Sequence, residues 1–420
     1  MSASPPDIDG EAGLTVYSTP GPRLGGRLRA APEDFQVDEV LATDEIHAEK
    51  GPGLVPLYLV KKRGIDTPHV AREMGRLIKS DVSYAGLKDS GAVATQYMSA
   101  KSTRSDSPPL LRRGKFEARL LGFSRPISRG MLVGNRFSIL VETKMEIGDA
   151  IERTFEACRE GRVANFYGYQ RFGLRSMVTH RAGKAIVERK FKEAVRLILA
   201  EPREGEKDQA SDARRRAGEE RYAEAAEMFT RSQDIERRVS FHLSKNAGDY
   251  LGAVRRVPLK IRRLLINSYQ AYVFNLTMSR AVAGGLDLGR AERGDNWAEA
   301  SGGGLGVGKV HGTKEEMTGH ALPLVQLVGY AFRDYGSRFD RIIVEVLEKE
   351  GVSPIQFYIK EAQELSSEGG FRHAPLLASE LAYSKEERGF RTQFSLGKGE
   401  YATILLREVT KPADPLGDGF

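Results

Sequence analysis

Alternating apolar and polar positions predict short strands through the first third of the chain. In Phe35-Gln36-Val37-Asp38-Glu39-Val40, residues Phe35, Val37 and Glu39 share one face, and Gln36, Asp38 and Val40 the other. Val55 to Val60, Val82 to Ala85, Val93 to Ala100, Phe116 to Phe123 and Phe137 to Val141 are further strand candidates. One helix interrupts them. Thr67-Pro68 reads as an N-cap followed by proline at the first helical position, and Val70, Ala71, Met74, Leu77 and Ile78 recur at helical spacing.

After Ile147 the period changes from two to about 3.6. Ile151, Phe155 and Cys158 mark a short helix, and helical patterns dominate from Met177 to Ala200. Pro258 opens the strongest helix, with Ile261, Leu264, Leu265, Tyr269, Tyr272, Val273 and Leu276 on one face. Leu322 to Tyr330 predicts a strand, and Phe394 to Glu408 a strand, a turn, then a strand or helix. Glu201 to Glu220 is charged with almost nothing to bury, which predicts a solvated excursion. Ala283 to Leu305 reads as a Gly-rich connection, and the Ser-, Pro-, Asp- and Gly-rich start of the chain as a loose tail. A strand-rich beginning followed by a helix-rich middle is an α+β pattern.

Composition narrows this only a little. At 420 residues, 40% hydrophobic and 29% charged, the chain suits a soluble protein of two domains. No apolar run approaches the roughly 20 residues that span a bilayer, and no apolar leader opens the chain, so no membrane association or signal peptide is expected. The single Cys158 excludes an intramolecular disulfide and fits a reducing cytoplasm. Seven scattered histidines show no ligand spacing, so no metal is expected. A net charge of +7 is compatible with a polyanionic partner without requiring one.

Five stretches carry candidate chemistry. Tyr84-Ala85-Gly86-Leu87-Lys88-Asp89-Ser90-Gly91-Ala92-Val93-Ala94-Thr95-Gln96 puts an Asp in a turn between two strands, where it can initiate the turn or point into a cleft, with Lys88 favouring its ionised form. Pro32-Glu33-Asp34-Phe35 is a turn entering a strand, three residues after Arg29. Gly134-Asn135-Arg136-Phe137 is a turn entering another. Asn165 to Gly173 mixes Phe166, Tyr167, Tyr169 and Phe172 with Gln170 and Arg171, as either core packing or an RNA-contacting loop would. Arg255, Arg256, Lys260, Arg262 and Arg263 crowd the start of the strong helix, as a solvated face or a phosphate-binding one. Gly303 to Lys309 fits the phosphate-binding loop Gly-x4-Gly-Lys, but Val310 stands where Ser or Thr holds magnesium, so no nucleotide site is expected.

The first of these, Gly86-Leu87-Lys88-Asp89-x-x-Ala92-x-x-Thr95-Gln96, resembles the signature of the tRNA pseudouridine synthase D (TruD) family. Four more stretches are similar to that family's motifs, in family order: Pro32 to Glu39, Asn135-x-Phe137, Asn165 to Gly173 and Tyr269-Gln270-x-x-x-Phe274-Asn275. The closing Phe394 to Glu408 resembles its last motif in the form commoner among archaeal members. The resemblance implies a pseudouridine synthase fold, a mixed, largely antiparallel sheet with flanking helices, bearing an α+β insertion domain. It implies catalytic parts at 22–160 and 385–412, the insertion at 161–384, and loose tails at 1–21 and 413–420.

Carried onto these positions, the resemblance makes Asp89 the nucleophile and Phe137 the plate on which the uracil stacks. Asn135, Phe35, Gly86 and Gln96 then shape the pocket, and Arg29 or Lys88 keeps Asp89 ionised. Gln170, Arg171 and Phe172, with the five basic residues from Arg255 to Arg263, are the candidates for holding RNA. The implied substrate is tRNA, most often uridine 13. No cofactor, metal or obligate protein partner is implied, because the reaction is an isomerisation. A catalytically silent tRNA-folding chaperone of the same fold is the alternative.

Overall fold

The computed structural model describes residues 2–42, 46–88, 90–174, 176–203, 205–300, 307–313 and 321–420. Asp89 lies outside the described residues, as does the Gly303–Gly306 part of the Gly-x4-Gly-Lys stretch. Seven strands come from the first part of the chain: β1 (Phe35–Leu41), β2 (Val55–Arg63), β3 (Val82–Tyr84), β4 (Val93–Ala100), β5 (Leu110–Arg113), β6 (Phe116–Ser124) and β7 (Leu132–Glu142). Four more, β8 (Asn296–Ala300), β9 (Val307–His311), β10 (Ala321–Leu327) and β11 (Gly370–His373), lie beyond a helical region. β12 (Ala378–Glu386) and β13 (Gly389–Gly397) follow.

Among the described residues these strands make two sheets. The first is nine-stranded, in the order β12-β13-β7-β1-β4-β2-β6-β5 with β3 beside β4, and the second runs β11-β10-β8-β9. The fold is therefore α+β, its main sheet mixed and largely antiparallel; the parallel pair is β1 with β4. That pair matters for the site. Its register sets Gln36 opposite Val93, so the start of β1 and the exit of the Asp89 turn lie side by side. The late strand β13 completes the sheet against β7, pairing Phe394 with Phe137.

Burial along β1 alternates as predicted, with Phe35, Val37 and Glu39 buried and Gln36 and Asp38 exposed. The helix Thr67–Ile78 forms, but its N-cap is Asp66, whose carboxylate accepts the His69 N–H at 2.9 Å. Thr67 is the first helical residue and is buried, its hydroxyl turned toward the residues before Asp89. The strong helix, Leu259–Ala283, is buried on several sides, with Ala271, Phe274 and Met278 enclosed as well as Leu265, Tyr269 and Val273. Its buried polar residues tie loops to it. Asn275 accepts the Tyr167 N–H at 2.8 Å and donates to the Ala12 and Tyr167 carbonyls. No helix is long and apolar enough to cross a membrane among the described residues.

Three expectations need correction. Much of the charged excursion is a helix, Asp208–Gly218, which buries Ala210, Ala213 and Ala217. Its Arg214 is enclosed with Glu206 at 2.7 Å and Glu236 at 3.0 Å, so the charges satisfy one another. The Gly-rich connection contains β8, where Trp297 stacks on His311 with ring centroids 4.0 Å apart. Val307–His311 is strand β9, so a strand runs where a phosphate-binding loop would start its helix.

The tails are not loose. Asp9 is fully buried against Arg407 at 2.6 Å, Tyr169 donates its hydroxyl to Asp9, and Thr19 bonds Glu408. Ser279 donates to the Gly13 carbonyl, so residues 9–19 bridge the strong helix and the last helix, Ala402–Thr410. At the other end Phe420 is buried and the Asp418 carbonyl accepts the Leu28 N–H. A buried charge needs its partner, and these partners lie almost the whole chain apart.

One core residue makes stability pH-dependent. His180 is buried, stacked on Tyr272 at 4.7 Å and edge-on to Phe172, and burial pulls its pKa down to about 3. A ring held neutral contributes stability that is whole above the unfolded value of about 6.5 and is lost as pH falls toward 3. His180→Phe should therefore gain about 2 kcal/mol over the wild type between pH 7.5 and pH 5. Urea unfolding at both pH values measures it, and an unchanged difference refutes a neutral His180.

Candidate active site

The backbone before Asp89 is held from below. Lys62, buried on β2, donates its ammonium to the Ile65 carbonyl at 2.7 Å and the Lys88 carbonyl at 3.0 Å. Thr67 Oγ1 accepts the Lys88 N–H at 2.9 Å and donates to Gln96 Oε1 at 2.8 Å. Gln96 is fully buried by this arrangement and supports the turn from behind instead of meeting a ligand.

The Lys88 side chain points to Glu39 on β1, with Nζ 3.1 Å from Oε1 and both groups enclosed. Glu39 Oε2 accepts the Tyr97 N–H at 3.0 Å, so this buried carboxylate links β1 and β4 to the turn. Gly86 is required by that pair. A Cβ there would sit 2.9 Å from Glu39 Oε1 and 3.0 Å from Lys88 Nζ. Lys88 is thus committed to Glu39.

Beside the turn is a cavity of about 210 Å³. That is below the roughly 300–1,000 Å³ of drug-sized sites and suits one planar ring. One wall is aromatic. Phe137 meets Phe35 edge-on at 6.2 Å and stacks on Phe394 at 5.5 Å, and all three are nearly enclosed. The Arg29 guanidinium lies 4.1 Å over the Phe35 ring and donates to the Gly419 carbonyl at 2.9 Å. Leu87, Lys88 and Ala92, which flank Asp89 in the chain, line the same cavity with Asn135, which lies inside β7 and not in a turn before it, since the strand already begins at Leu132.

Part of the remaining lining comes from the far end of the sequence. Gln170 and residues Glu400 to Thr403 also line the cavity. Glu400 accepts the Leu377 N–H at 2.7 Å and the Gly397 N–H at 2.6 Å. Burial pushes its carboxyl up to about 7, against the pull of those two N–H groups and the Arg372 charge. Among the described residues, no three His, Cys, Asp or Glu side chains gather as a metal-binding group.

The structure thus brings Arg29, Phe35, Lys88, Asn135, Phe137 and Gln170 together around one cavity, with Gly86 and Gln96 behind it. Arg171 stands 5.0 Å over the Tyr167 ring, and Phe172 is fully buried against His180. The basic group at the strong helix is not part of the cavity. Arg255 donates to the Glu361 carbonyl, Arg256 to His242, Arg262 to Glu364 and Arg263 to the Glu364 carbonyl, while Lys260 is exposed. Lys62 and the Glu400–Thr403 turn were not singled out from the sequence. For Lys62 the signal was parity, since it falls on the buried face with Tyr58 and Val60.

The family described as tRNA pseudouridine synthase D (TruD) matches residues 11–409. The chain belongs to the TruD family. Its relatives include proteins named "Probable tRNA pseudouridine synthase D" from Pyrobaculum neutrophilum, 31% identical over 99% of each chain, and from Methanosarcina mazei, 32% identical over 97% of this chain and 98% of that one. A crystal structure of a Methanosarcina mazei protein described as TruD superposes with a TM-score of 0.80 at 30% identity, covering 99% of this chain and all of that one. The match takes in the main sheet, the helical middle and the returning strands.

Proposed function

We propose that this TruD-family protein converts a uridine of tRNA, at position 13, to pseudouridine, with Asp89 as nucleophile. The observation that carries the reading is the ring-sized cavity, walled by Phe137 and Phe35 and bordered by the residues on both sides of Asp89. The target base leaves its helix, at a cost of a few kcal/mol. It lies against Phe137, where stacking returns roughly 1–3 kcal/mol. Asp89 attacks C1′ or removes the neighbouring proton, and the N1–C1′ bond breaks. The uracil turns and C5 joins C1′ as the Asp89 carboxylate leaves C1′ or returns its proton to the ribose; C5 then loses its hydrogen and N1 gains one. Arg29, at the cavity edge, keeps Asp89 ionised, since Lys88 answers to Glu39. Gln170 and Arg171 face the RNA, and the Arg255–Arg263 group serves at most as a distal phosphate surface. The work is cytoplasmic, where tRNA is processed.

Carbodiimide-dependent reverse-transcription stops on tRNA, without added ATP or metal, test the reading. A new stop at position 13 supports it. Tight tRNA binding with no stop on any tRNA favours a silent folding chaperone instead. Phe137→Ala should lower kcat/KM by about 10- to 100-fold, and Phe137→Tyr should restore most of it. Equal activity in Phe137→Ala removes Phe137 from the base site.

A further inference from the structure

We infer that the first turn of the helix Ala402–Thr410 receives a carbonyl oxygen of the target base, and that Thr403 is the hydrogen-bond donor that stabilises charge leaving with the uracil. This rests on the activity proposed above and adds a catalytic group to it.

Three orphaned polar atoms converge on the cavity. Thr403 Oγ1, Asn135 Oδ1 and Gln170 Oε1 are buried without a hydrogen-bond partner among the described residues, and all three residues line it. A buried hydroxyl left unpaired costs its full desolvation, so such atoms mark places built for a partner. Thr403 is only 3% exposed. Threonines further along a helix bond the preceding turn: Thr154 donates to Ala150, Thr277 to Val273 and Thr410 to Leu406; the helix-starting Thr67 and Thr179 donate to Gln96 and the Phe172 carbonyl. Thr403 sits in its helix's first turn, where no such carbonyl exists, and its hydroxyl is left for the cavity. The Ala402 and Thr403 N–H groups stand at the positive end of the helix dipole.

Gly168 keeps this corner open. A Cβ there would lie 2.8 Å from the Tyr401 ring, 3.0 Å from Gln170 Oε1 and 3.1 Å from Thr403 Oγ1. Its φ of −77° is ordinary, so the glycine answers to space and not to backbone strain.

The occupant is a neutral base edge, not a phosphate. Glu400 directly precedes the turn and is a poor neighbour for a phosphate dianion, while the flat Phe137 ring lines the same cavity. Uracil offers two carbonyl acceptors around one N3–H donor, which complements a hydroxyl donor with amide groups beside it. When the N1–C1′ bond breaks, its electron pair stays on N1 and spreads to O2 and O4. Donors aimed at those oxygens strengthen as the charge develops. C5 then bonds to C1′, C5 loses its proton and N1 gains one, so the sum is an isomerisation with no co-reactant.

Single-turnover rates on tRNA carrying uridine, 2-thiouridine or 4-thiouridine at the target position test this, because sulfur accepts hydrogen bonds weakly. The wild type should be slowed by one of the two sulfurs. Thr403→Val should be about 10- to 100-fold slower on uridine, with tRNA affinity nearly unchanged and that sulfur penalty gone. Thr403→Ser should stay within a few-fold of the wild type, and Gly168→Ala should raise KM by filling the corner. Wild-type speed in Thr403→Val, an undiminished sulfur penalty in that variant, or no penalty in the wild type each overturns the inference. A wild type that forms no pseudouridine on any tRNA overturns the activity instead.

Discussion

Asp89→Ala should abolish pseudouridine formation, with a rate at least about 10⁴-fold below the wild type, the scale on which losing a nucleophile is felt. Affinity for tRNA should stay within a few-fold, because stacking on Phe137 and the backbone contacts remain. The variant should also fold normally. The Lys88 peptide is held by Lys62 and Thr67, and the Lys88 ammonium by Glu39, so the backbone leading to position 89 keeps these supports in the variant. Asp89→Asn should be equally inactive, which separates charge from shape. Carbodiimide-dependent stops read the product and a filter-binding isotherm reads affinity. A stop that survives in Asp89→Ala places the chemistry elsewhere.

The second large effect is on stability. Arg407 is wholly buried, pairs with Asp9 at 2.6 Å and Glu408 at 3.3 Å, and donates to the Leu14 and Val16 carbonyls. Its guanidinium also lies 4.2 Å over the Tyr17 ring. Arg407→Met leaves the Asp9 carboxylate buried with the Tyr169 hydroxyl for company, a loss of about 3–5 kcal/mol. The double variant Asp9→Leu with Arg407→Met should recover part of that, since it removes both charges. Guanidinium midpoints decide the matter, and a shift worth under about 1 kcal/mol for Arg407→Met shows the pair to be incidental.

Strands such as β1 and the start of β6 were legible because they are buried on one face and exposed on the other, which imposes period two on the sequence. The cavity's aromatic wall was legible through motifs that resemble one family. What escaped was charge satisfied at long range. Asp9 reads as tail because its partner is Arg407, and the Arg214 helix reads as solvated because its alanine face is narrow and its carboxylates lie outside it. Thr67 was misread by one position because Thr and Asp both cap helices, and Asp66 won. Thr403 escaped for a different reason. Its interest lies in a bond it does not make, and no sequence pattern records that.

The pairing of β13 with β7 also bears on how the protein is made. Glu142 meets Gly389 in that ladder, so β7 has no neighbour on that side until some 250 further residues exist. At translation rates of about 5–20 residues per second, that edge waits on the order of tens of seconds on the ribosome. The helical middle can fold by itself in that interval, from local contacts, while the unfinished sheet presents an open strand to other chains. The nascent chain is therefore most prone to aggregation late in synthesis, just before the strand that completes the catalytic sheet emerges.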